Sequence, residues 1–307
     1  MNTLLTSDEA LTVISANYSL SDVDYCMFIR RGFNDTYLVA TQHDKYIFRL
    51  YLNNKYFVES GSAYEFELDL LEHLYSNGVP VAAALPSKSG KLLGWTSTSQ
   101  GDRAFALFTY ADGIRLDGES VTVNQCYQLG KAMAGLHLAA NSFSSEHQRY
   151  RLDFKYLIEE PLRLISEGEK DGSSSPQPDN LIKRGLQIVE KLQPIDRYID
   201  NINRIGLRND EFGVIHADLH PGNIHFHGDN LTMFDFDHCA YGWRAYDLAI
   251  AYWYPAPQRD SMIRGYESQR PLSNKERDSL QDFANLRNLW DIGDLLATQS
   301  LRAQPTS

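Results

Sequence analysis

The sequence predicts an α+β protein in which a strand-rich first third precedes a mostly helical remainder. Short runs of β-branched and aromatic residues crowd the chain before residue 110, most clearly KYIFRLYL at Lys45–Leu52. Beyond that point apolar residues recur at helical spacing, as Leu129, Met133 and Leu136 do. We therefore divide the chain into a first lobe at 1–110 and a second lobe at 111–307.

The first lobe holds one predicted helix among its strands. Phe66, Leu70 and Leu74 fall on one face of a helix at Ala63–Ser76, which an Asn-Gly pair ends. The loop residues after the last strand make Thr109–Gly113 the predicted connector between the lobes. The predicted strands are Cys26–Arg30, Thr36–Ala40, Lys45–Leu52, Val79–Leu85, Lys91–Thr96 and Phe105–Tyr110.

The second lobe is predicted to be helical apart from two strands that bracket its richest motif. A helix is predicted at Phe154–Glu167, with a kink at Pro161 because proline removes a backbone donor. The polar run GSSSPQPD at 172–179 predicts a surface loop. The remaining predicted elements are helices at Gln125–Ala140, 181–193 and 195–206, strands at Phe212–Ile215 and Leu231–Phe236, and helical structure from Ala245 onward.

The composition is that of a soluble globular protein. Of its 307 residues 43% are hydrophobic, enough for a sizeable core, and the net charge is −11. An acidic surface repels phosphate backbones, so nucleic acid is not an expected partner. No apolar stretch is long enough to cross a membrane, and the N-terminus lacks the basic segment of a secretion signal. The three cysteines show no CxxC spacing, which favours a reducing, cytoplasmic location.

The segment richest in reactive side chains is Val214–Asp247. It contains His216-x-Asp218-x-x-x-x-Asn223, and a DFD sequence that begins at Asp235 follows on the next predicted strand. This is the spacing of a kinase catalytic loop. Phosphate transfer requires a carboxylate near the attacking hydroxyl, which is the predicted role of Asp218. It also requires Mg²⁺, for which Asn223 and Asp235 supply hard oxygen ligands.

Two other interpretations compete for this segment. Its histidines could form a metal cluster, but Pro221 and Gly222 break the helix on which a histidine pair four residues apart normally lies. The acidic and amide residues could be turn formers, although three of them at kinase spacing disfavour this. We interpret His216 as a buried residue that braces the loop. The histidines concerned are His216, His220, His225 and His227.

The motifs together resemble the aminoglycoside phosphotransferase and choline kinase superfamily, which includes type II homoserine kinases. The resemblance covers nearly the whole chain and rests on HADLHPGN, DFD, RAYDLA, AMAGLHLAA and FALFTYADG. It implies a two-lobed protein-kinase-like fold, with a β-rich nucleotide-binding lobe at 1–110 and a helical catalytic and substrate-binding lobe at 111–307. It also implies an ATP-dependent phosphotransferase that moves the γ-phosphate of Mg²⁺-bound ATP to a hydroxyl group.

The same resemblance implies roles for individual residues. Asp218 corresponds to the catalytic base, and Asn223 and Asp235 correspond to the Mg²⁺ ligands. The backbone of Thr109 and Ala111 corresponds to the segment that binds adenine.

The chain departs from the family pattern in the first lobe. Glu67 matches the helix glutamate that pairs with a cation on the third strand, but the expected lysine is Arg49. Arginine keeps its charge and can bind a carboxylate or phosphate with two parallel hydrogen bonds. The predicted phosphate-covering loop is Arg31–Thr36, and Gly32 is its only glycine.

The acceptor of the phosphate is left open by the sequence. An aminoglycoside, homoserine, an amino alcohol or a sugar fits the family, and an acidic pocket would favour cationic acceptors. A protein Ser/Thr kinase is the alternative, which the short stretch between Asp235 and Tyr246 disfavours. A non-catalytic nucleotide-binding module is a third hypothesis. We interpret Asp247 as structural, either a helix N-cap or the partner of an arginine. Nucleotide preference and oligomeric state also stay open.

Overall fold

The chain folds into two units, as a computed structural model shows. The structure describes residues 4–58, 61–99, 101–115, 121–171, 176–208 and 210–303. The first unit comprises Met1–Asp112, Ser144–Arg149 and the C-terminal stretch from Ser300, and the second comprises Gly113–Phe143 and Tyr150–Gln299. The α+β class predicted from the sequence is confirmed. Among the described residues, no helix combines the length and apolarity needed to span a membrane.

The first unit is built on one antiparallel sheet. Its strand order is β1-β2-β3-β6-β4, and β5 pairs with the other part of β6. Two helices accompany the sheet, α1 at Ser7–Asn17 and α2 at Ser62–Ser76. The strands are β1 (Val23–Arg31), β2 (Asn34–Thr41), β3 (Lys45–Tyr51), β4 (Ala84–Leu85), β5 (Gly94–Thr98) and β6 (Gly101–Thr109).

Two elements of the first unit differ from the sequence-based predictions. The predicted strand at Val79–Leu85 is wrong over most of its length, because only Ala84–Leu85 pairs with β6. Pro80 lies within that run and has no amide to donate to a ladder. Helix α1 was not predicted, although Thr6 and Glu9 form a capping box that fixes its start: the Glu9 amide donates to the Thr6 hydroxyl (3.2 Å) and the Thr6 amide to Glu9 Oε2 (2.7 Å).

The second unit is mostly helical, with two small sheets. Strands β10-β9-β7 form one sheet, and β11 pairs with β8 in the other. The strands are β7 (Ile114–Arg115), β8 (Phe212–Ile215), β9 (Ile224–His227), β10 (Asn230–Met233) and β11 (Ala240–Trp243). The helices are α3 (Val123–Ala139), α4 (Glu160–Asp171), α5 (Pro176–Lys191), α6 (Asp196–Asn203), α7 (Arg244–Leu248), α8 (Ala256–Glu267) and α9 (Asn274–Ala303).

Proline explains two local features of the second unit. A π-helical turn at Lys155–Glu159 leads into α4. The wider turn accommodates Pro161, which has no amide to donate and whose ring needs room in the preceding turn. The loop predicted at 172–179 is wrong from Pro176 onward, because α5 begins there. Proline is favoured in the first turn of a helix, where the amides have no partner in any case. Residues 172–175 of the predicted loop lie outside the described residues.

Helices α3 and α8 pack backbone against backbone. A Cβ added at Gly130 of α3 would lie 1.9 Å from the Met262 carbonyl oxygen, and one at Gly265 of α8 would lie 2.0 Å from the Tyr127 oxygen. Each clash is with main-chain atoms of the facing helix, which cannot rotate away. The two glycines therefore set the close approach of these helices.

We predict that Gly130→Ala lowers the free energy of unfolding by at least about 2 kcal/mol, because the helices must separate. Gly135 of α3 is the matched control, since a Cβ there meets nothing within 4 Å. Gly135→Ala should leave stability unchanged or raise it by up to about 1 kcal/mol through helix propensity. Urea denaturation of the two variants measures the difference, and equal stabilities would contradict the packing argument.

Candidate active site

A β-hairpin brings the predicted metal ligands together in the second unit. Strands β9 and β10 pair from Ile224 with Met233, and the Phe234 amide donates to the Asn223 carbonyl oxygen at 3.0 Å. Asn223, at the start of the hairpin, thus faces the end of β10, where Asp235 follows. The register of four residue pairs fixes this juxtaposition.

The predicted base lies beside the predicted metal ligand. The Asn223 side-chain amide donates to the Asp218 carbonyl oxygen (3.0 Å) and to Asp218 Oδ2 (3.2 Å). Both bonds use Nδ2, so the nitrogen of this buried side chain (1% exposed) faces Asp218 and its oxygen points away from Asp218. An amide oxygen fixed in this way, with the Asp235 carboxylate beyond the hairpin, is a hard donor set that suits Mg²⁺.

The backbone adopts the left-handed conformation at Asp235 itself and at the residue before Asp218. Asp235 has a φ of 67°, and Ala217, which precedes Asp218, has a φ of 68°. An L-residue in this region costs about 1–2 kcal/mol. Such strain turns a side chain in a direction that neither a strand nor a helix would give it.

Asp218 lies in a charged but poorly hydrated setting. Its side chain is 22% exposed, and Arg287 Nη2 lies 3.4 Å from Oδ1. Burial raises the pKa of Asp218 to about 8. Arg287 opposes the rise, whereas the carboxylates of Asp291 and Asp235 add to it. The carboxylate is thus a stronger base than a solvated aspartate.

The loop that presents Asp218 is held by Asp247. One carboxylate oxygen accepts the His216 amide at 2.8 Å, and the other accepts the Ala217 amide at 2.9 Å. These bonds offset the strain at Ala217. Asp247 therefore has a structural role, as predicted, but not in either predicted form. It is not a helix N-cap, because it lies inside α7, and its side-chain partner is His137 and not an arginine.

His137 of α3 completes this support. Its Nε2 lies 3.1 Å from Asp247 Oδ2, and its Nδ1 lies 2.7 Å from the Tyr266 hydroxyl. An ionised Asp247 requires Nε2 to carry the proton, so Nδ1 accepts from Tyr266. Arg270 in turn donates to the Tyr266 oxygen at 3.2 Å. A hydrogen-bonded series therefore runs from α8 through α3 to the loop before Asp218.

Two histidines of the motif, His216 and His220, bond to the backbone. His216 Nδ1 accepts the Asp218 amide (3.3 Å), while its Nε2 lies 3.1 Å from the Phe234 carbonyl oxygen. His220 Nδ1 accepts the Gly222 amide at 2.9 Å. Within the part of the chain that the structure describes, no three His, Cys, Asp or Glu residues are grouped as a metal would require. The structure thus places His216 where it braces the loop.

In the first unit, Arg49 and Glu67 form a buried ion pair. Arg49 Nη1 lies 2.6 Å from Glu67 Oε1, and the Tyr51 hydroxyl donates to Oε2 at 3.1 Å. The guanidinium lies over the Phe108 ring, 4.7 Å from its centroid. The structure thus brings together the two residues that the family resemblance pairs. Arginine suits this position because its flat group stacks on an aromatic face while it binds a carboxylate.

The predicted phosphate loop is a tight turn between β1 and β2. The Gly32 amide donates to the Asn34 carbonyl oxygen at 2.9 Å, and a Cβ at Gly32 would meet nothing within 4 Å. Next to the turn, the Asp35 carboxylate is fully buried between Arg31 (2.5 Å) and Arg103 (2.9 Å). Asp35 therefore has a structural role.

The predicted adenine segment is anchored at its strand end. The Thr109 amide donates to the Ala83 carbonyl oxygen at 2.9 Å, and the Ala83 amide donates back to the Thr109 hydroxyl at 2.9 Å. Because its amide is engaged, the only backbone group of Thr109 left for adenine is its carbonyl. Ala111 follows the strand and is buried.

Three functional candidates were missed by sequence reasoning. Arg287 lies 69 residues from Asp218, and His137 lies 110 residues from Asp247. No local spacing in the sequence can therefore predict these contacts. Lys55 is buried at 2% exposure, and its ammonium donates to Asn34 Oδ1 at 2.7 Å. For His137 a signal existed, since it lies within AMAGLHLAA, which the sequence analysis used only as a resemblance.

We predict that the protein loses stability in acid through His137. Burial lowers the pKa of His137 from 6.5 to about 4, although its hydrogen bond to Asp247 acts in the opposite direction. A folded-state pKa below the unfolded value means that protonation disfavours the fold. The stabilisation is complete above pH 6.5 and is lost as the pH falls towards 4, by up to about 3 kcal/mol.

Urea denaturation at pH 7.5 and 5 measures this loss. His137→Gln keeps a donor for Asp247 but cannot be protonated, so its stability should depend less on pH. His216 and His220 also have lowered pKa values and retain part of the slope. An unchanged slope in His137→Gln would contradict the assignment.

Comparisons with known proteins identify a relative and two solved structures that are similar to this chain. A homoserine kinase of Agrobacterium fabrum is 30% identical over 258 residues, which cover 80% of this chain and 71% of that protein. The structure of a microcompartment-associated aminopropanol kinase is similar with a TM-score of 0.73 and 23% identity, over 95% of this chain and 92% of that one. Amicoumacin kinase hAmiN, solved with AMP-PNP, Ca²⁺ and Ami, gives a TM-score of 0.70 and 21% identity, over 97% and 89%.

The structural likenesses confirm the kinase-like fold that the sequence predicts. A profile described as the Phosphotransferase enzyme family (APH) matches residues 27–283, which is most of the chain. The protein therefore belongs to the phosphotransferase enzyme family.

Proposed function

We propose that this phosphotransferase moves the γ-phosphate of Mg²⁺-bound ATP to a hydroxyl group of a small molecule. The observation that carries the proposal is the arrangement around Asp218. A base with a raised pKa is hydrogen-bonded to Asn223, and the β9–β10 hairpin sets Asn223 opposite the strand end that leads to Asp235. A general base beside a pair of hard oxygen donors is what transfer of a phosphate to an alcohol requires.

Each of these residues has a defined part in the reaction. Asp218 orients the acceptor hydroxyl and accepts its proton. Asn223 and Asp235 would hold the Mg²⁺, which when bound neutralises the phosphate charges. Arg287 keeps Asp218 in position through the contact at 3.4 Å. Asp247 fixes the loop backbone, so that little reorganisation is needed when the substrates bind.

The nucleotide contacts proposed in the first unit follow the family resemblance. Arg49, paired with Glu67, is the cation that we propose to contact the phosphate oxygens. The open turn at Gly32 covers the phosphates, and the backbone of Thr109 and Ala111 binds adenine. The complex of hAmiN with AMP-PNP and Ca²⁺ supports an ATP-like nucleotide and a divalent cation. Mg²⁺ is our proposal for that cation.

A small acceptor is favoured over a protein acceptor by the segment after Asp235. It forms a short 3₁₀ turn at Phe236–His238 and then β11, which pairs with β8 before α7 begins. A chain occupied in this way offers no long segment on which a polypeptide could lie. The relatives named above are kinases of small molecules, which points in the same direction. A protein Ser/Thr kinase remains the alternative.

We predict that Asp218→Asn reduces kcat by about 10²–10⁴-fold, because the amide cannot accept the proton. Binding of AMP-PNP with Mg²⁺ should be largely retained. Asp235→Ala should lose both turnover and the Mg²⁺ dependence of nucleotide binding. Asp278→Asn, an exposed change on α9, is the matched control and should behave as wild type.

ADP release with ATP and Mg²⁺ measures these outcomes against aminoglycosides, homoserine, choline, amino alcohols and sugars. Stimulation by one compound class that Asp218→Asn abolishes supports the proposal. Transfer to dephosphorylated casein, with no stimulation by any small molecule, would favour the protein-kinase alternative. Near wild-type turnover in Asp218→Asn would show that the base is another residue.

A further inference from the structure

The turn between β1 and β2, which is proposed above to cover the phosphates, is held by the chain segment that follows β3. The Leu52 amide donates to the Phe33 carbonyl oxygen at 3.2 Å. The Phe33 ring packs against Phe57, with the ring centroids 5.2 Å apart, and against Tyr56 at 6.2 Å. The segment Leu52–Val58 therefore contacts the turn through its backbone and through its side chains.

Lys55 is the only charged residue of that segment, and it is buried. Only 2% of the residue is exposed, and its ammonium group donates to Asn34 Oδ1 at 2.7 Å. Asn34 is itself buried and is the first residue of β2, within the predicted phosphate loop. Taking an ammonium group out of water is unfavourable unless the group is hydrogen-bonded. The fold thus places a buried positive charge directly against the turn.

Three aromatic rings surround the ammonium group of Lys55. Its Nζ atom lies 4.8 Å from the ring centroid of Tyr51, 5.1 Å from that of Tyr64 and 5.8 Å from that of Phe57. The face of an aromatic ring attracts a cation at such distances. Together with the bond to Asn34, the rings restrict the lysine side chain to one position, which makes it a rigid support.

The same packing reaches the buried ion pair of the first unit. The Tyr51 ring that lies near Lys55 is also 5.7 Å from the guanidinium carbon of Arg49. The hydroxyl of Tyr51 donates to Glu67 Oε2 at 3.1 Å. Lys55 and Arg49 therefore contact one ring, so the support of the turn and the proposed phosphate-binding cation are positioned by the same group.

We propose that Lys55 is a positioning residue of the nucleotide site, which fixes the turn at Phe33–Asn34 over the β- and γ-phosphates of ATP. The inference rests on the proposed function and deepens it. A flexible covering loop loses conformational freedom when a nucleotide binds, and that loss weakens binding. In this chain, Lys55 holds the turn in place before the nucleotide arrives. It acts through Asn34 and requires no contact with the nucleotide.

Nucleotides that differ in their number of phosphates test this role. In Lys55→Met the side chain still packs against the aromatic rings, but it cannot donate to Asn34. We expect the Kd for AMP-PNP with Mg²⁺ to rise about tenfold, because a hydrogen bond from a charged group is lost. The Kd for AMP, which lacks the phosphates that the turn covers, should stay at the wild-type value. Isothermal titration calorimetry measures both, and retained AMP binding shows that the variant is folded.

A double-mutant cycle separates the bond to Asn34 from other effects of the lysine. Asn34→Ala should weaken AMP-PNP binding to a similar extent as Lys55→Met. The double variant should bind AMP-PNP no more weakly than either single variant, because both substitutions remove the same bond. Lys91→Met, an exposed change in the same unit, is the matched control and should bind AMP-PNP as the wild type does.

Two results would overturn the inference and leave the proposed function standing. Equal weakening of AMP and AMP-PNP binding in Lys55→Met would show that the lysine supports the unit as a whole and not the turn. Unchanged AMP-PNP binding in Lys55→Met and Asn34→Ala would show that the turn needs no such support. If Lys55→Met does not fold, Asn34→Ala gives the same comparison. If the wild-type protein binds neither nucleotide, the proposed function fails and the inference fails with it.

Discussion

The carboxylate of Asp247 is the constraint on which the proposed active site depends. It accepts two consecutive backbone amides, those of His216 and Ala217, and so holds a strained loop that would otherwise relax. Without that hold, Asp218 would not be turned towards Asn223, and the proposed base would be separated from the proposed metal ligands. A short loop can keep a left-handed alanine only because a buried charge compensates for it.

Burying that charge requires compensation in its turn, which explains why the surrounding helices carry polar groups. His137 donates to Asp247, Tyr266 donates to His137, and Arg270 donates to Tyr266. The series crosses from α3 to α8, the same pair of helices that Gly130 and Gly265 allow to approach closely. Close packing and the hydrogen-bond series are thus two parts of one arrangement, because a wider helix spacing would break the contact between His137 and Tyr266.

The sequence predicted what depends on local spacing and missed what depends on tertiary contact. The interval from Asp218 to Asn223 was predicted because it lies within one loop. The strand predicted at Leu231–Phe236 ends at Met233 in the structure, so Asp235 lies beyond it, and the partner strand β9 was not predicted. The role of Arg287 was not predicted, since its contact with Asp218 spans 69 residues and an arginine on a helix is ordinarily a surface residue. The strand at Val79–Leu85 was predicted from its apolar pattern despite Pro80. In the structure only Ala84–Leu85 pairs with β6, because proline has no amide to donate to the ladder.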